Sequence, residues 1–173
     1  RVTGVQTCAL PIWGEVLDPI PSLSDLYVVL AKYDSISVST PWAYKTYRAN
    51  FSDRYADIAD TATLQERQQR VHAGPMVTAI THQDGAAIGA QLYNDLERVV
   101  LPAHQKVQHL RDRMASHGGL GTMMSGSGPT VFTLAKTQQA AAAILAKVRA
   151  DLPDPELRLW SACCTATGIR LEP

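Results

Sequence analysis

A glycine-rich segment in the carboxy-terminal half of the chain has the residue types best suited to bind an anion. It reads Ser125-Gly126-Ser127-Gly128-Pro129, and we call it the glycine turn. Glycine lacks a Cβ atom and accepts positive φ, so successive backbone amides can converge on one phosphate oxygen, and the serine hydroxyls add donors. The alternative is a tight turn between two strands that merely tolerates glycine. The residues alone leave both interpretations open.

The glycine turn matches neither common nucleotide-binding loop. It lacks the Gly-Lys-Ser/Thr ending of a Walker loop and the GxGxxG spacing. It also leads into a predicted strand, whereas a Rossmann loop leads into a helix. No GxSxG, HExxH or CxxC motif occurs, which disfavours hydrolase and zinc chemistry. We assign no histidine to catalysis and no residue to a metal.

A second candidate binding segment is the predicted helix start at Ser39-Thr40-Pro41. A hydroxyl can cap the free amides here, and proline suits the first helical position, so we expect a helix from Pro41 to Ala49. Its amino-terminal end favours anions, and an aromatic side chain one turn later can stack on a flat base. Helical spacing spreads Trp42, Tyr44 and Tyr47 around the axis, so at least one belongs to the core. Spacing alone leaves open whether all three pack against a sheet.

The remaining elements must bring these two segments together. Apolar periodicity and turn residues predict strands and helices in the order strand, several helices, strand, helix, strand, which favours an α+β fold with helices on one face of a small antiparallel sheet. The predicted strands are Leu26–Tyr33, Val131–Ala135 and Arg158–Thr165. The predicted helices are Thr61–His72, Pro75–His82, Ala86–Leu101, a segment from Pro102 to the stop at Gly118-Gly119, and Gln138–Asp151, with a loop over Asn50–Asp60.

Three polar residues sit in the middle of the predicted helix Ala86–Leu101. Asn94, Asp95 and Glu97 flank Leu96, which belongs to the apolar stripe of that helix. Polar residues at the borders of such a stripe usually face water. We therefore expect a solvated face rather than a binding group.

Composition limits the classes of function. The 173 residues contain 16 Lys and Arg against 16 Asp and Glu, and this zero net charge argues against a nucleic-acid binder. No apolar run approaches the roughly 18 to 20 residues that span a bilayer, so we expect no membrane segment. The three cysteines, Cys8, Cys163 and Cys164, suggest reduced thiols in a cytoplasmic protein.

The first residues do not fit the rest of the chain. Residues 1–13 lack the charged and continuous apolar regions of a secretory signal, and Pro11 interrupts their weak apolar pattern. They resemble translated sequencing-adapter sequence. We therefore expect a non-native head over 1–13 and one domain over 14–173, with sequence upstream of Gly14 missing.

Three segments, taken together, resemble the carboxy-terminal half of the GHMP small-molecule kinases. They are LAKYDSISVSTPWAYKTY, YNDLERVVLP and GTMMSGSGPTVF, and the likeness extends over 14–173. It is strongest to the branch that uses ATP to phosphorylate the 2-hydroxyl of 4-diphosphocytidyl-2-C-methyl-D-erythritol, in the non-mevalonate route to isoprenoids. The resemblance implies a ferredoxin-like carboxy-terminal domain, with ATP and Mg²⁺ bound mainly by an amino-terminal half.

The same resemblance implies roles for particular residues. Thr40 corresponds to a threonine near the substrate, and Tyr44 to an aromatic that sandwiches the cytosine. Ser125, Gly126, Ser127 and Gly128 correspond to a loop beside the phosphates and the substrate. The ATP-binding loop, the catalytic aspartate and an early lysine have no counterpart here, so no catalytic residue is expected and the chain alone should be inactive.

The sequence leaves two other functions open. One is a GHMP kinase of another type, such as a homoserine or mevalonate kinase, although the aromatic Tyr44 and its context speak against it. The other is a stand-alone, non-catalytic ligand-binding domain with the same ferredoxin-like fold.

Overall fold

The computed structural model describes residues 7–10, 16–52 and 74–166. Within these ranges a four-stranded antiparallel sheet, in the order β4-β5-β3-β6, packs against helices. The strands are β1 (Thr7–Leu10), β2 (Val16–Pro19), β3 (Tyr27–Tyr33), β4 (Gly121–Met124), β5 (Val131–Ala135) and β6 (Leu157–Cys163). The helices are α1 (Thr40–Asn50), α2 (Pro75–Thr81), α3 (Gly85–Ala90), α4 (Glu97–Ala103), α5 (Gln105–Ala115) and α6 (Gln138–Asp151).

Strands β1 and β2 pair with each other in a separate two-stranded antiparallel sheet. The expectation that 1–13 is a non-native head stays a prediction. The predicted helix Thr61–His72 and most of the predicted loop Asn50–Asp60 lie outside the described residues.

The main core lies between one face of the sheet and the longer helices. Alternate residues of β3, among them Val29 and Ala31, are fully buried on this face because successive strand residues point to opposite sides. The helices contribute apolar stripes, such as Val107, Leu110 and Met114 of α5. This arrangement confirms the predicted α+β class and the antiparallel sheet with helices packed on it.

A second, smaller core contains helices α2 and α3. Its buried members are Leu23, Leu26, Ala79, Ile88 and Leu134. Helix α3 approaches β4 closely because both elements present a glycine: a Cβ atom on Gly121 would lie 2.5 Å from the carbonyl oxygen of Gly89. The chain between α3 and α4 continues to the carboxyl end of β4, where Asn94 contacts Met124.

Two predicted elements differ from the structure. The predicted single helix Ala86–Leu101 is wrong, because α3 ends at Ala90 and α4 begins at Glu97. Pro102 lies inside α4 rather than at the start of the next segment. Strand β4 is an element that the sequence does not predict, because its residues look like part of a glycine-rich loop. The other predicted elements in the described ranges are confirmed to within a few residues.

Candidate binding site at the glycine turn

The glycine turn connects β4 to β5 at one end of the sheet. Within it, the amide of Ser125 donates to the carbonyl of Thr130 and the amide of Gly128 donates to the carbonyl of Ser125, both at 2.8 Å. The peptide bond between Gly128 and Pro129 is cis. The segment is therefore a turn between two strands, with two internal hydrogen bonds and a defined backbone path.

Two glycines of this turn have positive φ, +55° at Gly126 and +79° at Gly128. Most side chains disfavour this region because Cβ meets the following carbonyl oxygen. Around Gly126 no atom would lie within 4 Å of an added Cβ, whereas at Gly128 that atom would lie 2.6 Å from the sulfur of Met124. Gly126 is thus needed for its backbone conformation, and Gly128 for conformation and space.

The start of helix α1 contacts the glycine turn through two hydroxyl groups. The Oγ1 atom of Thr40 and the Oγ atom of Ser127 form a hydrogen bond of 2.7 Å. Ser39 is the N-cap of the helix, and its Oγ atom accepts from the amide of Trp42 at 3.4 Å. The hydroxyl of Thr40 takes no part in this cap and is used by the contact with Ser127. The structure brings together the two segments that the sequence singled out.

The three aromatic residues of α1 have different environments. Tyr47 is 5% exposed and packs against Phe51, with the ring centroids 5.1 Å apart. Trp42 is 36% exposed and meets the ring of His104 edge-on. Tyr44 is 52% exposed. The prediction that at least one of the three is core is confirmed at Tyr47, and the alternative that all three pack against the sheet is wrong.

Tyr44 lies on the same side of α1 as Thr40, because residues four apart are neighbours on a helix surface. Thr40 contacts the glycine turn. The exposed ring of Tyr44 therefore lies one helical turn from the hydroxyl that contacts the glycine turn. A flat base could stack on this ring while attached phosphate groups reach the turn.

Asn94 and Glu97 also contact the glycine turn and β4, which the sequence does not predict. The side-chain amide of Asn94 donates to the carbonyls of Met124 and Gly126, both at 2.8 Å. The Oε1 atom of Glu97 accepts from the amide of Met124 at 2.6 Å. The expected solvated face is thus wrong for these two residues. The sequence signal for a helix break here is Asn94, two residues before Leu96. An asparagine side chain can bond a nearby backbone amide in place of the helical carbonyl.

A charged pair lies beside β4. The Oε2 atom of Glu97 lies 3.9 Å from the guanidinium of Arg111, while its Oε1 atom accepts from the amide of Met124. Among the described residues, no group of three or more His, Cys, Asp or Glu side chains is placed to hold a metal ion. No helix in the described ranges is long and apolar enough to cross a membrane.

Comparisons with known proteins indicate the family to which the domain is similar. A family model described as GHMP kinases C terminal matches residues 76–154. The 4-diphosphocytidyl-2-C-methyl-D-erythritol kinase of Gloeothece citriformis is 55% identical over 159 residues, which is 92% of this chain and 50% of that protein. The corresponding kinase of Nostoc punctiforme is 52% identical over 159 residues, 91% of this chain and 50% of that protein.

Residues 76–154 of this chain form a GHMP kinase carboxy-terminal domain. The chain spans about half the length of the curated relatives it matches. Among solved structures, homoserine kinase from Cytophaga hutchinsonii aligns with a TM-score of 0.62 at 19% identity, over 88% of this chain and 45% of that one. A 4-(cytidine 5'-diphospho)-2C-methyl-D-erythritol kinase aligns with a TM-score of 0.57 at 22% identity, over 87% of this chain and 46% of that one. These structures share the GHMP kinase fold of the carboxy-terminal domain.

Proposed function

We propose that this chain forms the carboxy-terminal part of a kinase that transfers the γ-phosphate of ATP to the 2-hydroxyl of 4-diphosphocytidyl-2-C-methyl-D-erythritol. The observation that carries the proposal is the hydrogen bond between Thr40 and Ser127. It joins the segment expected beside the substrate to the turn expected beside the phosphates. The 55% identity with a kinase named for this substrate supports the same assignment.

The chemical groups of the substrate correspond to the groups at the site. Its cytosine is a flat base, for which the exposed ring of Tyr44 is a stacking partner, and such stacking is worth about 1–3 kcal/mol. Its diphosphate requires hydrogen-bond donors. The amides of Gly126 and Ser127 can provide them, and so can the one hydroxyl hydrogen that the bond between Thr40 and Ser127 leaves over. This chain would thus bind and orient the alcohol substrate.

ATP and Mg²⁺ enter the proposal through the family rather than through the described residues. In phosphoryl transfer, Mg²⁺ neutralises charge that develops on the phosphate oxygens. The described part of the chain has no cluster of acidic or other metal-binding side chains near the glycine turn. No step of phosphoryl transfer is therefore assigned to a residue of this chain.

The decisive experiment compares the isolated chain with a chimera. In the chimera, residues 14–173 replace the matching half of the Gloeothece citriformis enzyme. We expect ATP-dependent phosphorylation of 4-diphosphocytidyl-2-C-methyl-D-erythritol by the chimera and no turnover by the isolated chain. Turnover by the isolated chain, or a chimera that prefers homoserine or mevalonate in a substrate panel, would contradict the proposal.

The role of Tyr44 can be tested in the same chimera. Tyr44→Ala removes the ring and should raise KM for the cytidine substrate by about tenfold, because it deletes one stacking contact, while KM for ATP changes little. Tyr44→Phe keeps the ring and is the matched control. If Tyr44→Ala raises both KM values equally, Tyr44 is a packing residue and this part of the proposal fails.

A further inference from the structure

Asn94 is the side chain that spans the glycine turn. Its two amide hydrogens are used by the carbonyls of Met124 and Gly126, which lie on either side of Ser125. Its Oδ1 atom accepts from the amide of Leu96 at 3.0 Å, which fixes the orientation of the carboxamide. One partly buried side chain therefore makes three hydrogen bonds, two of them to the backbone of β4 and the turn.

These bonds determine which way the turn's free amides face. A trans peptide plane places its N–H opposite to its C=O. Because the carbonyl of Gly126 points to Asn94, the amide of Ser127 points away from Asn94. Because the carbonyl of Ser125 accepts from Gly128, the amide of Gly126 points away from that bond. Within the described ranges, neither amide donates to another protein group.

We propose that Asn94 is the positioning residue of the glycine turn, and that it presents the amide of Ser127 on the outer side of the turn for an anionic group of the ligand. Assigning that amide to a ligand rests on the proposed function, whereas fixing the turn does not. Asn94 touches no ligand in this proposal and acts only through the backbone of the turn.

The identity of the residue matters because both partners of its Nδ2 atom are acceptors. Aspartate has the same shape as asparagine and keeps an acceptor for Leu96, but its ionised carboxylate has no hydrogen to donate. In Asn94→Asp, two oxygen–oxygen contacts would therefore replace two hydrogen bonds. Glu97 has a different task, because it accepts from the amide of Met124 and leaves the amides of the turn untouched.

The break between α3 and α4 is what allows this contact. In a continuous helix, the Leu96 amide would donate to a backbone carbonyl one turn earlier. Here the Asn94 side chain takes that amide, and the carboxamide can turn toward the glycine turn. The break before α4 thus leaves the Asn94 side chain in a position to bond both Leu96 and the glycine turn.

The test uses amide hydrogen exchange, measured by NMR on the full 173-residue chain without ligand. In Asn94→Asp, exchange at the amides of Ser125 and Gly128 should rise by about tenfold or more, because two hydrogen bonds that order the turn are lost. Exchange at the core amides of Val29 and Thr133 should change much less. Asp95→Asn is the matched control, since it makes the reverse atom change at the adjacent residue and should leave the turn amides unchanged.

Two results would overturn the proposal. Unchanged exchange at Ser125 and Gly128 in Asn94→Asp would mean that the carboxamide does not order the turn. An equal rise at turn and core amides would mean that Asn94 only contributes to global stability. Neither result depends on whether the chain belongs to an active kinase, so a failure here is distinct from a failure of the chimera.

A second measurement applies if Asn94→Asp does not fold. The sequence has two asparagines, and Asn50 is exposed. In the unmodified chain, the side-chain NH₂ protons of Asn94 should exchange several-fold more slowly than those of Asn50 and show proximity to Gly126. Equal exchange rates for the two asparagines would overturn the proposal.

Discussion

The two ends of strand β4 both depend on glycine, but for different physical reasons. At the carboxyl end, the glycine turn needs positive φ, and an added Cβ at Gly126 would meet open space. At the amino end, Gly121 meets Gly89 of α3 so closely that an added Cβ on either residue would overlap backbone atoms. The amino end uses glycine for space, whereas the carboxyl end uses it for conformation and, at Gly128, for space as well.

The contact between α3 and β4 supports the domain, whereas the glycine turn forms the candidate site. The contact between α3 and β4 is made of backbone atoms, which cannot move without shifting a whole element. The glycine turn has two backbone hydrogen bonds of its own and is otherwise held by the side chains of Asn94 and Thr40. Substitutions at the first contact should therefore affect the stability of the domain, and substitutions at the second should act mostly on the turn.

The largest effect is expected for Gly89→Ala. Its added methyl group would overlap the carbonyl group of Leu120, so we expect a loss of about 3 kcal/mol in the free energy of unfolding. Gly85→Ala in the same helix is the control, because there the new atom would meet only side-chain ends of Leu120 and Leu26, at 3.0 Å. Chemical denaturation measures both. Equal losses would remove the distinction between backbone and side-chain contact.

A smaller loss is expected for Gly128→Ala. Positive φ and the close sulfur of Met124 both act at this position, and together they should cost about 2 kcal/mol. The same denaturation experiment applies. A loss as large as that of Gly89→Ala would show that the turn contributes to the global core as much as the α3–β4 contact does.

Gly126→Ala should cost less again, about 1 kcal/mol, because only the backbone conformation is penalised. Gly126→Asn is the matched variant, since asparagine accepts the left-handed region more readily than alanine. We expect Asn to recover part of the loss in unfolding free energy. If Ala and Asn are equally harmful, positive φ is not what the turn requires here.

The smallest effect is expected at a surface ion pair that touches neither end of β4. Lys106 Nζ lies 2.7 Å from Asp154 Oδ2, and this hydrogen bond lowers the pKa of Asp154 and raises the pKa of Lys106. The lowered pKa means that Asp154 stabilises the fold above its unfolded-state pKa, and that this contribution disappears as pH falls through the folded-state value. The raised pKa of Lys106 means that its contribution is present below the ordinary lysine pKa and is lost as pH rises through the raised value.

Asp154→Asn tests this pair while keeping an oxygen for the amide of Glu156. At neutral pH and low salt, Tm should fall by at most about 3 °C, because exposed pairs are weak. The difference in Tm between the two proteins should vanish at acid pH, below the folded-state pKa of Asp154. A difference that persists there would point to lost packing instead of lost charge.

The sequence predicts most elements of this fold but misses its interruptions. Helix α6 has the predicted bounds, Gln138–Asp151, because its alanines favour helix and its apolar residues recur on one side. The break before α4 escapes prediction, since Ile88, Leu92 and Leu96 keep helical spacing across it. Asn94 lies within that break, and its side chain accepts from the amide of Leu96.

The site is predictable only in part, for a similar reason. Short sequence motifs are enough to identify Thr40, Ser127 and the exposed Tyr44 as candidates. Strand β4 exists because it pairs with β5, and Asn94 and Glu97 reach it from about 30 residues away in the chain. Such contacts depend on the completed sheet, so spacing along the chain could not reveal them.

The hydrogen bond between Thr40 and Ser127 also bears on the order in which the molecule folds. The two residues are 87 positions apart, and the strands that bring them together are β3 and β5. Closing so long a loop costs chain entropy that one exposed hydroxyl pair cannot offset. The pairing of those strands must therefore come first, and the hydroxyl contact should be made late in folding and lost early in partial unfolding.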